Sequence, residues 1–313
     1  MGLEVLAPEG ADYDEIAVFQ RVCFEEVSGA GERKASQVAG HYSWKYTMTG
    51  KAKIAMVRNG GQIISMCAAC PVELRTAPHN VMGWQLCDIA TRPSERGKGY
   101  FSNCLESLSN SIPDHDVLFC FPNSNSLPLL TKRRWRVSGN LSFFGGVILN
   151  RSACPQIVQI TRFERDHDIF LETIEKSRRL QLNRSSSYLN GRYNAANLHP
   201  YACFVIRGVD GYQGCIVLRA TRVFGIPICV IMDVFSAHDT AERALISQAG
   251  HWAATQGCVG VLTANNTRGR FGLVKFGLLP IPNFAVPRPL TLMTSDRSAA
   301  DSWWSQIGDW DGF

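Results

Sequence analysis

The stretch from Gln85 to Trp135 constrains the fold more than any other part of the chain. It opens on Gln85-Leu86-Cys87-Asp88-Ile89-Ala90-Thr91, a mostly apolar run of strand length. Arg92-Pro93-Ser94-Glu95 follows, a turn by composition. Then comes Arg96-Gly97-Lys98-Gly99-Tyr100-Phe101, after which Phe101, Leu105 and Leu108 recur at helical spacing. Strand, glycine-rich turn and helix start, in that order, let a backbone present several N–H groups to one anion. Glycine permits the sharp turn and the close approach of a ligand. Arg96 and Lys98 add positive charge at the same place. The natural guest is a phosphate-bearing ligand, and the unit itself belongs to an α/β fold.

Two familiar phosphate motifs do not fit. A Walker loop needs Ser or Thr after Gly-Lys and a glycine five positions before the Gly of that pair; here Gly99 and Arg92 stand there. The dinucleotide fingerprint needs three glycines, and only Gly97 and Gly99 are present. The stretch instead resembles motif A of the GNAT acetyltransferase superfamily, in which Arg or Gln is followed three residues on by Gly and two further by Gly or Ala. Arg96 and Gly99 match; Phe101 departs from the small last residue. The downstream order also fits. Asp116 to Phe121 reads as a strand, Pro122-Asn123-Ser124-Asn125-Ser126 as a turn, and Leu127 to Trp135 as a short helix with Pro128 near its start.

At 313 residues the chain exceeds a usual single core, so two domains are expected, 1–150 and 151–313. A hydrophobic fraction of 45% with 19% charged residues suits a folded protein. The net charge of +5 is too mild to argue for nucleic acid and suits an anionic small molecule. No apolar run approaches spanning length and no basic-then-apolar leader opens the chain, so a cytoplasmic protein without a membrane segment is expected. Eleven cysteines, an odd count, lie mostly in apolar runs and read as reduced, buried thiols. Cys67 and Cys70 sit three apart in an expected strand and so face opposite sides. The seven histidines show no His-Glu-x-x-His pattern, and no metal is expected.

Around these elements the first half reads as a helix over 13–27, a short helix over 41–46, and strands over 53–58 and 62–75 joined at Asn59-Gly60-Gly61. The second half repeats the order. A helix is expected over 168–182, and Tyr188 to Tyr193 echoes His41 to Tyr46, both ending in a basic residue and Tyr. Strands over 201–208 and 212–222 follow, then Ile226 to Phe235 with Asp233 in the place of Asp88. A helix over 240–255, a strand over 259–264, Asn265-Asn266 and an echo of the last helix over 272–277 complete the copy. The two halves differ after the aspartate. Val234 to Thr240 contains no glycine or arginine and is a poor cradle for pyrophosphate. The fold expected is two tandem GNAT-like domains, each a mixed twisted sheet flanked by helices, the second a degenerate copy shaping an acceptor site.

The whole chain resembles tandem-GNAT proteins, in particular the bacterial group found with polysaccharide and amino-sugar biosynthesis. The resemblance rests on Tyr42-x-Trp44-Lys45-Tyr46, on Asp88 to Gly99, on Phe121-Pro122-Asn123-x-x-Ser126, and on Trp304-x-x-x-Gly308-Asp309. It implies acyl transfer from acyl-coenzyme A (acetyl or longer) to the amine of a small acceptor, with a nucleotide-linked amino sugar expected. It implies that Ile89, Ala90 and Thr91 bind the pantetheine arm through their backbone. The N–H groups of Arg96, Gly97, Lys98, Gly99, Tyr100 and Phe101 would take the pyrophosphate. Asn123 and Asn125 go to the pantetheine or acceptor side, with plain turn chemistry as the alternative. The family's tyrosine acid has no counterpart, since the alignment places Leu130 and Leu273 there. Asp88 is the charged candidate for base or amine holder; Asp233 and Trp304 are the acceptor-side candidates. An amine of pKa ~8 costs only ~1.4 kcal/mol to deprotonate near pH 7, against ~4.6 kcal/mol for a lysine, so a site without a strong base favours an amino sugar. Two other classes stay open: an aminoacyl- or peptide-type transferase, and a non-catalytic module that binds acyl-coenzyme A.

Overall fold

The computed structural model describes residues 2–24, 38–48, 50–77, 79–147, 154–174, 180–194, 199–208, 211–265, 277–282, 290–295 and 303–309. The first half runs β1 (Gly2–Leu6), α1 (Tyr13–Phe24), α2 (Ala39–Thr47), β2 (Lys53–Asn59), β3 (Gln62–Arg75), β4 (Val81–Thr91), α3 (Tyr100–Ser111), β5 (Val117–Cys120), α4 (Leu127–Lys132) and β6 (Arg136–Val147). The second runs β7 (Ile157–Ile160), α5 (Arg165–Thr173), β8 (Gln181–Leu182), α6 (Ser186–Leu189), β9 (Ala202–Gly208), β10 (Gly211–Val223), β11 (Ile226–Ser236), α7 (Asp239–Thr255), β12 (Gly260–Asn265), β13 (Leu279–Ile281) and β14 (Leu290–Thr294). The class is α/β, a large mixed sheet built from both halves and flanked by helices.

Local chemistry explains the elements. Gly60 and Gly61 both take positive φ, the two-residue turn that closes β2 onto β3. β3 is buried along nearly its whole length because helices cover both its faces. Cys67 joins the core under α3, while Cys70 joins the core under α1 and α2, so the two thiols do lie on opposite faces. In α3, Phe101, Cys104, Leu105 and Leu108 form the buried stripe.

The sheet order is β1-β2-β3-β4-β5-β14-β6-β12-β11-β10-β9-β7. Within each half three antiparallel strands lead to one parallel pair, β4 with β5 and β11 with β12. The closing strands are exchanged. β14 of the second half inserts beside β5, and β6 of the first half lies beside β12. β14 and β6 then pair with each other and join both sheets.

Some expectations shift. The expected helix over 168–182 is shorter: α5 ends at Thr173, and Gln181–Leu182 pairs instead with the end of β3. The helix expected to reach Trp135 stops at Lys132, because Arg134 adopts φ 65 and the chain reverses into β6. The expected extension of α1 to Val27, the echo over 272–276 and Asn266 lie outside the described residues. Among the described residues no helix is long and apolar enough to cross a membrane, and no group of three His, Cys, Asp or Glu could hold a metal.

Candidate active site

β4 and β5 pair from Gly83 with Val117 to Leu86 with Cys120, then part. A cleft of about 500 Å³ opens there, lined by Ile89, Ala90 and Thr91 of β4, by Arg96, Gly97, Gly99, Tyr100 and Phe101, and by Asn123 and Asn125. Ten of the residues expected from sequence thus line one space. Lys98 does not: its Nζ turns to Glu95 Oε2 at 3.0 Å on the surface, leaving its positive charge at the rim. Ser126, part of the Phe121-Pro122-Asn123-x-x-Ser126 motif, also lines the wall; Cys23, Phe24, Glu95, Ser102 and Leu129 complete it and were not singled out as site residues from sequence.

The anion end is built by backbone. Gly97 and Gly99 sit at φ 80 and 84, a region that costs other residues steric strain. Gly99 is the N-cap of α3 and no side chain caps that helix. Its first N–H groups therefore have no intrahelical acceptor and face the cleft with the positive end of the helix dipole. Arg96 braces this turn: Nη2 donates to Cys23 O at the end of α1, and Nε donates to Thr91 O, both at 3.3 Å. Phe101 is largely buried in the core under α3, so the larger residue at that motif position is absorbed by packing.

Asn123 caps α4. Its Oδ1 accepts from Asn125 N at 2.9 Å and Ser126 N at 3.0 Å, while Ser126 Oγ accepts from Asn123 N. Only an oxygen can accept both N–H groups, so Nδ2 is the donor this side chain can offer a ligand. Leu130 is fully buried in the core, which fits the absence of a tyrosine acid on this helix.

Asp88 lies just behind the cleft, not in its wall. It has φ 50 and occupies a bulge, where β4 carries one more residue than β3 between the pairs Met66–Ala90 and Ala68–Cys87. Its carbonyl accepts from Gln20 Nε2 at 2.9 Å. Its Oδ2 accepts from Tyr46 Oη and pairs with Lys45 Nζ, both at 2.8 Å. Burial alone would raise the Asp88 pKa, but the Lys45 ammonium outweighs it and holds the carboxyl below its ordinary value. Such a group is an anion at neutral pH and a weak proton acceptor. Burial and the adjacent carboxylate push the Tyr46 hydroxyl well up, so it stays a donor.

The second half repeats this arrangement at Asp233. One extra residue on β11 lies between the pairs Val217–Asp233 and Leu218–Ile231. Tyr193 Oη donates to Asp233 Oδ2, and Arg184 Nε donates to Oδ1 at 2.7 Å. Arg184 also pairs with Asp309 and packs against both Phe235 and Trp304, 5.1 and 5.4 Å from the ring centroids. Asp233 is only 1% exposed, with both oxygens engaged. Its carboxylate, expected on the acceptor side, is engaged in a buried ion cluster. Trp304 remains half-buried over that cluster. Where β11 and β12 part, Ile307–Asp309 touches both strands. The side chain of Gln306 accepts from Val234 N at 2.9 Å and donates to Val234 O at 3.2 Å. The second opening is filled by the chain's own end.

Residues 6–133 match the acetyltransferase (GNAT) domain family, and every residue of the cleft falls inside that segment. No curated protein matches the chain by sequence. Several solved structures share its fold. A conserved protein of unknown function from Enterococcus faecalis superposes with a TM-score of 0.64 at 12% identity, covering 94% of this chain and 72% of that one. A GCN5-related N-acetyltransferase from Anabaena variabilis gives 0.60 at 12% identity, with 94% and 72% covered. Saccharomyces cerevisiae N-myristoyltransferase with bound myristoyl-CoA gives 0.62 at 10% identity, with 93% and 82% covered. Residues 6–133 are thus similar to a GNAT acetyltransferase domain, and the solved structures share the fold of the whole chain. The domain and the cleft it contains put the protein in the class of acyl-coenzyme A-dependent N-acyltransferases.

Proposed function

We propose that the protein moves an acyl group from acyl-coenzyme A, held in the first-half cleft, to the amine of a small acceptor, with a nucleotide-linked amino sugar as the leading candidate. The cleft carries this reading, because backbone donors for a pyrophosphate and an unpaired strand edge for pantetheine line a single space. In this reading the N–H groups from Gly97 to Phe101 bind the pyrophosphate, and Ile89 to Thr91 align the pantetheine. An N–H at the bulge then faces the thioester carbonyl and stabilises the oxyanion that forms as the amine attacks. Asn123 adds its Nδ2 donor beside the thioester. Asp88 contributes fixed negative charge behind the bulge, and its lowered pKa makes it a poor proton acceptor. Among the described residues no strong base stands beside the bulge, which favours an amine that is already partly neutral at pH ~7. The amine would arrive from the side covered by the second half, near Trp304.

A mass-spectrometric screen would test this by pairing acetyl-coenzyme A and longer acyl-coenzymes A with nucleotide-linked amino sugars, free amino sugars and peptides. Expected is an acylated amino sugar together with free coenzyme A. Acylated peptide alone would move the acceptor class. Coenzyme A binding without turnover across the panel would leave a binding module.

A further inference from the structure

We infer that Tyr46, Lys45 and Gln20 act as positioning residues: through Asp88 they fix the bulge of β4 so that the main chain of Ile89 faces the cleft. The inference rests on the acyl-coenzyme A reading of that cleft and goes beyond it by assigning the residues behind the wall. Three side chains converge on one residue. Gln20, 3% exposed, holds its carbonyl; Tyr46, fully buried, and Lys45 hold one carboxylate oxygen. That residue is also one of only three described non-glycine residues at positive φ. Three contacts on one bulge residue over-determine its conformation, which is how a fold retains a backbone geometry the chain would otherwise relax.

The second half shows what such a cluster does when no cofactor is involved. There too a tyrosine and a cation grip an aspartate beside a one-residue bulge, though the extra residue there is Met232 and Asp233 lacks the positive φ. The next residue, Val234, turns both its N–H and its carbonyl outward, where the Gln306 amide takes both. Ile89 follows Asp88 as Val234 follows Asp233, and Ile89 lines the cleft. Acyl transfer cannot be the shared purpose, because the second opening is filled and its turn lacks glycine. The shared purpose is to present one residue's main chain to an amide. In the first half that amide is supplied by the pantetheine arm.

Calorimetry separates this role from the alternatives without needing the acceptor. Two probes are used: coenzyme A, and 3′-phospho-ADP, which is coenzyme A without its pantetheine. Alanine tolerates positive φ poorly, whereas asparagine tolerates it and still accepts from Tyr46. Asp88→Ala should weaken coenzyme A at least tenfold and leave 3′-phospho-ADP within threefold. Asp88→Asn should leave both within threefold. Gln20→Met, which releases the carbonyl, should act in the same direction as Asp88→Ala and gives a second measure should that variant fold poorly. If Asp88→Ala and Gln20→Met both keep full coenzyme A affinity, the bulge does not depend on these contacts and the inference falls. It falls equally if Asp88→Asn is as damaging as Asp88→Ala, since charge rather than backbone shape would then decide. Wild-type protein that binds neither probe would overturn the reading of the cleft and this inference with it. Wild-type protein that binds both equally tightly would overturn this inference alone.

Discussion

Single residues here work mainly through the backbone they permit. Gly99 shows this: an added Cβ meets no atom within 4 Å, so the limit is its φ of 84 and the ligand space beside it, not packing. Gly99→Val should therefore strain this turn without an internal clash, stay folded, and bind coenzyme A more than tenfold weaker, about 1.4 kcal/mol or more, by titration calorimetry. Unchanged affinity in a folded variant would remove the loop from the site. That loop was legible in the sequence because glycine and charge are local signals. The Arg184 cluster was not: Asp233 and Asp309 stood out in their own segments, but they lie 49 and 125 residues from Arg184 and nothing local ties it to them. Asp309 carries a consequence for pH. Burial and Asp233 raise its pKa to about 6, against the lowering by Arg184, the Gln306 N–H and Arg192. A carboxyl whose pKa is raised on folding binds its proton more tightly folded than unfolded. Its stabilising share is present at low pH and is lost as pH climbs from about 4 to about 6. Asp309→Asn should remove that loss. Compared by urea midpoints at pH 4, 5, 6 and 7, its stability relative to wild type should rise through that window by up to about 3 kcal/mol and then level off. A constant difference across the series would show that Asp309 does not titrate there.

At the scale of elements, the strands, the paired turns and α3 were readable because their apolar periods are strong. Less readable were the elements whose meaning is long-range. β6 and β14 carry no motif, and their positions follow only from which sheet edge each one completes. β8 hides within an expected helix, because two residues carry too little pattern to compete with a helical period. The repeated basic-Tyr pairs were visible as an echo, whereas their common grip on an aspartate needed the structure; in the second half, moreover, Arg184 from outside the echo supplies a cation to Asp233. The two openings between parallel strands also diverge in a way sequence showed only in part. The turn after Asp233 lacks glycine, and in addition Gln306 already occupies the Val234 main chain. One coenzyme A should therefore bind per chain. A calorimetric stoichiometry of two equivalent sites would contradict both the missing loop and the filled opening.

For the whole molecule, the boundary near residue 150 is a boundary in sequence more than in space. β14 lies against β5, with Leu292 and Met293 fully buried, and Trp303 packs on Phe119 with centroids 4.8 Å apart. In the other direction β6 supplies the neighbour of β12, and Gln85 on β4 donates to Asp309 O at 2.9 Å. A fragment of residues 1–150 would thus keep its cofactor loop but lose the strand that completes β5, the cover over Phe119 and Leu74, and the partner of β6. An unpaired parallel-sheet edge with exposed apolar side chains is prone to pair with other copies. Removing even three large buried side chains from such a surface forfeits on the order of 5 kcal/mol, comparable to the stability of a typical domain. Expressed alone, the 1–150 fragment should therefore aggregate or lack a cooperative melt by far-UV circular dichroism and size-exclusion chromatography. Co-expressed with the 151–313 fragment, it should elute as a one-to-one complex that binds coenzyme A, because the exchanged strands can assemble without a covalent link between the halves. A monomeric, cooperatively melting 1–150 fragment that binds coenzyme A as tightly as the full chain would show that the exchange adds little, and that each half is an independent unit.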